Sequence, residues 1–174
     1  MGIEIERKFL IVSDDWKLHP KGVSWRYTQG YLSFGDDNSP EIRVRIISPV
    51  DDNDRMRSQA VITVKGKGDL SRSEVETKID IEDARELLSM CKGTLIQKTR
   101  HLAAEKSGLT FEIDIYEGEL HGLQVAEIEL PSEDAVFDRP SFLGDEVTLN
   151  KGFKNAALAQ HGAPRLAPSP RMKV

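Results

Sequence analysis

The stretch EIERKFL, Glu4 to Leu10, decides the fold. Read as a strand, its side chains alternate at period two. Glu4, Glu6 and Lys8 then share one face, while Ile5 and Phe9, with Ile3 before them, share the other. A half-buried strand ordinarily sends apolar residues inward and polar ones to water. Here the polar face is two acids and a base in strict alternation, and the question is whether it meets water or a ligand.

The alternation recurs along the chain. In EIRVRI (41–46), Glu41, Arg43 and Arg45 oppose Ile42, Val44 and Ile46. Thr63 and Lys65 oppose Ile62 and Val64. Glu74, Glu76, Lys78 and Asp80 oppose Val75, Thr77, Ile79 and Ile81. Lys98 and Arg100 share a face, as do Glu112 with Asp114 and Glu127 with Glu129. The segments 3–11, 25–33, 40–48, 58–66, 73–81, 94–106, 109–120 and 123–131 therefore read as strands. Short helices are expected at 13–18, capped by Ser13, at 82–93, closed by Gly93, at 132–140, stopped by Pro140, and at 151–162, ended by Gly162. KGDLSR (67–72) reads as a hairpin turn, because it lacks the spacing of a phosphate-binding glycine loop. The expectation is one domain over 1–162 and a disordered proline-bearing tail over 163–174.

Composition narrows the function. The 174-residue chain has 24 Lys and Arg against 29 Asp and Glu, a formal net charge of -5. That opposes a general nucleic-acid or anionic-membrane binder. One cysteine, Cys91, forbids an intrachain disulfide and points to a reducing, cytoplasmic compartment. No run approaches the roughly 20 apolar residues of a membrane span. Four scattered histidines have no ligand spacing, and Trp16 and Trp25 read as outer packing.

A face that is merely solvated mixes Ser, Thr, Asn and Gln with its charges. This one sorts charges by kind: Arg-x-Arg, Lys-x-Arg, Glu-x-Glu. Closing the sheet with that face inward makes a tunnel of carboxylates and cations. Unpaired buried charge costs several kcal/mol per ion, so the charges of such a tunnel must be paired, hydrated or ligand-bound. Rows of Arg and Lys suit a chain of phosphates. Clustered carboxylates suit a hard divalent cation such as Mg²⁺. Together they describe a metal-dependent polyphosphate site.

The ordered set Glu4-Ile5-Glu6-Arg7-Lys8, RYTQGYLS, EIRVR, ITVKG, LSRSEVE, QKTR, FEIDIYEG, VAEIELPSEDA and GDEVTLNKGFKNAALA resembles the CYTH superfamily of triphosphate tunnel metalloenzymes over about residues 3–160. It is most similar to short bacterial members that hydrolyse inorganic tripolyphosphate. The resemblance implies an α+β, mostly β fold: a closed eight-stranded antiparallel barrel with a charged lumen and a few helices outside. It implies that Lys8, Arg43, Arg45, Lys65, Lys98 and Arg100 grip the triphosphate. Glu4, Glu6, Glu127 and Glu129, with Asp114 close by, would hold Mg²⁺ or Mn²⁺. Glu74 and Glu76 would line the tunnel, serving a second metal or pairing with the bases. A water attacks the terminal phosphorus, activated by a second metal, a carboxylate or Lys151. The chain departs from the resemblance at Asn150-Lys151-Gly152-Phe153, where relatives carry an Asp-x-Arg-Tyr-like stretch that plugs one tunnel mouth.

The expected function is a metal-dependent tripolyphosphatase with a small polyanionic substrate. No nucleic-acid or membrane partner is expected, and a homodimer is compatible with a barrel of this size. The alternatives are a class IV-type adenylate cyclase, a thiamine or nucleoside triphosphatase, and a non-catalytic polyphosphate sensor.

Overall fold

The computed structural model describes residues 5–20, 22–36, 38–51, 57–66, 73–132 and 134–165. Glu4, the KGDLSR turn, most of the 49–57 connection and the tail from 166 lie outside the described residues. The alternating segments form strands β1 (Ile5–Ile11), β2 (Trp25–Phe34), β3 (Glu41–Pro49), β4 (Gln59–Lys65), β5 (Glu74–Ile79), β6 (Lys92–Ala104), β7 (Thr110–Tyr116), β8 (Gln124–Leu130) and β9 (Leu143–Glu146). Two α-helices accompany them, α1 (Ile81–Ser89) and α2 (Asn155–His161). All pairings are antiparallel, in the order β5-β4-β3-β2-β6-β7-β8-β1-β9.

Nine strands are present among the described residues where eight were expected. The ninth comes from Leu143–Glu146, which pairs with β1 across a register shift. Among the described residues, hydrogen-bonded pairing runs from β5 to β9 and does not join those two ends. Other expectations also shift. Among the described residues, the helix expected at 132–140 does not form, and residues 135–140 have no regular structure. That segment carries Phe137 into the core beside Phe9 and Phe111, and packing outweighs its local helix signals. Gly93 does not close α1, which ends at Ser89. It sits in β6 at φ +69, where a Cβ would stand 2.3 Å from the carbonyl oxygen of Ala159 in α2. Ser13 does cap a 3₁₀ turn at Asp14–Leu18, accepting from the Asp15 backbone N–H, and Gly162 does follow α2.

The two faces of the sheet divide the chemistry. One apolar cluster packs Phe9, Phe111, Ile113, Ala126 and Ile128 under Trp16, Phe142 and Leu143. A second packs α1, through Ala84 and Leu88, onto Val44, Ala60 and Ile62. Both lie on the face opposite the charges. A third cluster closes one end of the charged face: Tyr31, Ile96, Tyr116 and Val125 meet Phe153 and Leu158. Thus α1 sits outside the sheet, whereas α2 and the 3₁₀ turn before it (Lys151–Phe153) cap the charged surface. No helix among the described residues is long and apolar enough to cross a membrane.

Candidate active site

Register carries the charged residues onto one continuous surface. Lys8 stands opposite Glu127 and Glu6 opposite Glu129. Glu112 faces Glu127 across β7 and β8, and Arg100 faces Asp114 across β6 and β7. Arg45 faces Gln29, Arg43 faces Thr63, and Lys65 faces Glu74.

The floor of this surface is an ion-pair knot. Asp114 is fully buried and Lys98 is 1% exposed. The Lys98 ammonium donates to Asp114 Oδ2, and Arg100 donates to both Asp114 oxygens at 2.7 Å. Arg100 also donates to Glu127 Oε2 at 3.0 Å and to Glu112 Oε2. Lys8 Nζ reaches Glu127 Oε1 at 2.7 Å and the Phe153 carbonyl at 3.3 Å. Burial works against every charge here. It lowers the Lys98 pKa and raises that of Glu112. Burial alone would raise Asp114 as well, but Lys98 and Arg100 outweigh it and hold the carboxyl at about 2.

The cations on β3 are bound differently. Arg45 donates from Nε to Gln29 Oε1 at 3.0 Å and lies over the Tyr27 ring at 5.4 Å. Among the described residues it has no carboxylate partner. Burial, then the like charge of Arg43, lower its pKa to about 10. Arg43 donates to Thr63 Oγ1 at 3.2 Å, with Glu76 at 3.8 Å, and its buried Nε has no acceptor. Lys65 pairs with Glu74 at 2.9 Å, and Thr63 donates to Glu76 at 2.9 Å. Glu74 and Glu76 therefore stand with the bases in this geometry.

Glu6 and Glu129 are exposed and face each other with no cation partner among the described residues. Like charges directly opposite on adjacent strands repel, which a cation between them relieves. An all-oxygen donor set of this kind fits a hard divalent ion such as Mg²⁺. No three His, Cys, Asp or Glu among the described residues converge as a ready metal cluster. Asp114 and Glu127 are instead turned to Lys8, Lys98 and Arg100.

Lys151 is exposed on the 3₁₀ turn whose Phe153 carbonyl accepts from Lys8. The Asn150 side chain caps that turn by accepting from Gly152 N–H at 3.0 Å. At Gly152 a Cβ would meet Pro164 at 2.8 Å, so the departure from the resembled pattern lets the chain pack back on itself. Phe153 is buried and contributes packing and its carbonyl.

Residue patterning missed several members of the surface. Tyr27 lies within 5.9 Å of Arg45, Lys98 and Arg100. Gln29 is fully buried as the acceptor for Arg45, and Tyr116 lies under Lys98. Glu112 was on the charged face but had no assigned role. Trp25 pairs in register with Arg100, on the charged face, and not in the outer packing expected of it. The signal for all of these was the same period-two alternation, carried by aromatic and amide side chains. Trp16 and His101 do pack on the outside, 4.9 Å apart, with His101 Nδ1 2.7 Å from Ser24 Oγ.

An antiparallel sheet with one face sorted into clustered cations and clustered carboxylates, capped at one end, defines a tunnel-type β protein. The chain belongs to the CYTH domain family, which it matches over residues 2–159. It is 40% identical to the inorganic triphosphatase of Acetivibrio thermocellus, over 92% of this chain and 96% of that one. It is 38% identical to the inorganic triphosphatase of Nitrosomonas europaea, over 90% and 96%. The crystal structure of an inorganic triphosphatase matches with a TM-score of 0.68 at 33% identity, covering 91% of this chain and 95% of that chain. A Pyrococcus horikoshii protein at 23% identity and a TM-score of 0.51 shares the fold. The expected mostly-β tunnel fold is therefore matched, although the strand pairing is open between β5 and β9.

Proposed function

We propose that this chain is a divalent-metal-dependent inorganic triphosphatase that hydrolyses tripolyphosphate to pyrophosphate and orthophosphate. The observation that carries this is Arg45: a half-buried guanidinium beside Arg43, with no carboxylate partner among the described residues. A partly desolvated, unneutralised cation is costly, and a polyanion removes that cost. The orphaned Arg43 Nε adds a second waiting donor. The two inorganic triphosphatases at 40% and 38% identity support the same reading.

In this reading Lys8, Arg43, Arg45, Lys65, Lys98 and Arg100 bind and orient the phosphate chain. Glu6, Glu127 and Glu129, with Asp114 and Glu4, hold the cation, which is Mg²⁺ or Mn²⁺. The bound cation supplies charge neutralisation on the phosphate oxygens. Water attack on the terminal phosphorus breaks the bridging P–O bond, and the pyrophosphate leaving group departs along the row of bases. Two lysines are candidates to take the water's proton. Lys151 is exposed on the capping turn. Lys98 is buried in the floor of the site, and that burial lowers its pKa. Substitution separates them: the base variant, Lys151→Ala or Lys98→Ala, loses at least about 100-fold in kcat and loses the rise of kcat with pH that deprotonation of the base produces. Unchanged kcat removes that lysine from the role. A net charge of -5 and a single cysteine favour a cytoplasmic enzyme of a small anion over a nucleic-acid binder.

The test is phosphate release with Mg²⁺ or Mn²⁺ across tripolyphosphate, ATP, thiamine triphosphate and pyrophosphate, with Glu6→Gln as control. Release from tripolyphosphate, lost in the control, supports the proposal. Tight tripolyphosphate binding without release would instead make the chain a sensor. Cyclic AMP from ATP would make it a cyclase.

A further inference from the structure

Arg100 differs from the other arginines on the charged face. All three of its guanidinium nitrogens are engaged, and all by carboxylates. Nε and Nη2 hold Asp114 at 2.7 Å each, Nη2 also holds Glu127 at 3.0 Å, and Nη1 holds Glu112. Arg43 and Arg45, by contrast, keep an orphaned donor and an unmatched charge.

The knot around Arg100 is balanced. Glu112, Asp114 and Glu127 supply three negative charges, and Lys8, Lys98 and Arg100 supply three positive ones. Both Glu127 oxygens and both Asp114 oxygens are already taken. A divalent ion arriving alone meets a neutral cluster in which every Asp114 and Glu127 oxygen already holds a cation, and one of those cations must leave for the ion to take its place. Arg100 is suited to leave. Its side chain is 16% exposed, against 1% for Lys98, and it is on the same face as the cations of β3. Exchanging Arg100 for a divalent ion makes the carboxylate cluster one charge more positive and frees a guanidinium. Both changes favour a polyanion.

We infer that Arg100 is an internal stand-in for the metal. In the substrate-free protein it fills the carboxylate pocket and opposes loading of the metal alone; it transfers to the phosphate chain when metal and tripolyphosphate arrive together. Arg100 is thus a positioning residue that couples two ligands. The inference rests on the metal-dependent part of the function proposed above.

The test uses the whole chain and Mn²⁺ alone, at fixed ionic strength and neutral pH, with free Mn²⁺ read by electron paramagnetic resonance. Wild type is compared with Arg100→Gln and Arg100→Lys, each checked for a folded melting transition. Arg100→Gln binds Mn²⁺ about tenfold or more tightly than wild type, because a competing charge has gone. Arg100→Lys, a point charge without the fork, falls between them. If Arg100→Gln does not fold, Arg100→Lys carries the comparison. A merely structural Arg100 gives weaker binding in both variants, since the pocket loosens. Equal or weaker Mn²⁺ binding by the folded variants overturns the inference and leaves the triphosphatase reading standing. Absence of Mn²⁺ binding by wild type and variants alike, with tripolyphosphate present or not, overturns the metal-dependent reading and this inference with it.

Discussion

Arg45 and Asp114 show how differently two charges on one face are treated. Arg45 has an amide oxygen and an aromatic ring for company; Asp114 has two cations. Removing Arg45 takes away charge-assisted hydrogen bonds to the ligand, so Arg45→Ala lowers kcat/KM for tripolyphosphate by about 100-fold. Steady-state kinetics checks this, and wild-type values would remove Arg45 from the site. Asp114 makes an acid-stability prediction. Its folded pKa, about 2, lies below the ordinary 3.8, so the folded state binds the proton less readily than the unfolded chain. Its stabilisation is complete above about pH 4 and is lost as pH falls through about 2, an amount of about 2 kcal/mol. Urea titrations from pH 5 to 2 measure that loss. Acid sensitivity matching a chain with an unperturbed carboxyl would show that the ion pairs contribute nothing.

At the scale of elements, the contact between β6 and α2 is the most demanding. Gly93 has a left-handed φ of +69 and faces the Ala159 carbonyl at a distance that no Cβ tolerates. Gly93→Ala therefore costs about 2 kcal/mol or more, from backbone strain and displacement of α2. Thermal melting measures it, and a change under about 0.5 kcal/mol would contradict the packing. Moving α2 also moves Phe153, whose carbonyl accepts from Lys8, so activity falls with stability. Local sequence signals were good guides to most elements and poor ones here. Gly93 looked like a helix terminator because it follows an amphipathic run. The conformation it supplies is needed in a strand, by a helix some sixty residues away in the chain. The 132–140 segment had capping residues and a terminating proline, yet Phe137 packs between Phe9 and Phe111, and that burial outweighs a few tenths of a kcal/mol of helix propensity.

For the whole molecule, the charged face is a surface held ready for an anion. Ligand binding to the folded state alone stabilises it by about 2.7 kcal/mol at a hundredfold excess over Kd. Tripolyphosphate with Mg²⁺ therefore raises Tm by several degrees, and Arg43→Ala and Arg45→Ala each reduce the rise. Differential scanning fluorimetry checks this, and sulfate at equal ionic strength is the control. An equal shift from sulfate would mean that the face attracts anions without recognising a phosphate chain. Chelation with EDTA abolishes turnover and leaves the melting curve of the substrate-free protein unchanged, since its cores are apolar and no three His, Cys, Asp or Glu among the described residues converge on a metal site.

The sequence alone determined which residues share a face, because that follows from period two and needs no tertiary information. Lys8, Arg43, Arg45, Lys65, Lys98, Arg100, Glu6, Asp114, Glu127 and Glu129 were all legible that way, and all lie on the one surface. Only the tertiary structure decided who pairs with whom. Registers across β1, β6, β7 and β8 bring three carboxylates around Arg100 and, among the described residues, leave Arg45 with none. It also decided that α2 caps the charged surface instead of covering the outside, and that a ninth short strand joins β1. Those outcomes depend on contacts between residues far apart in the chain, made by aromatic, amide and glycine positions whose local patterns say nothing about their partners.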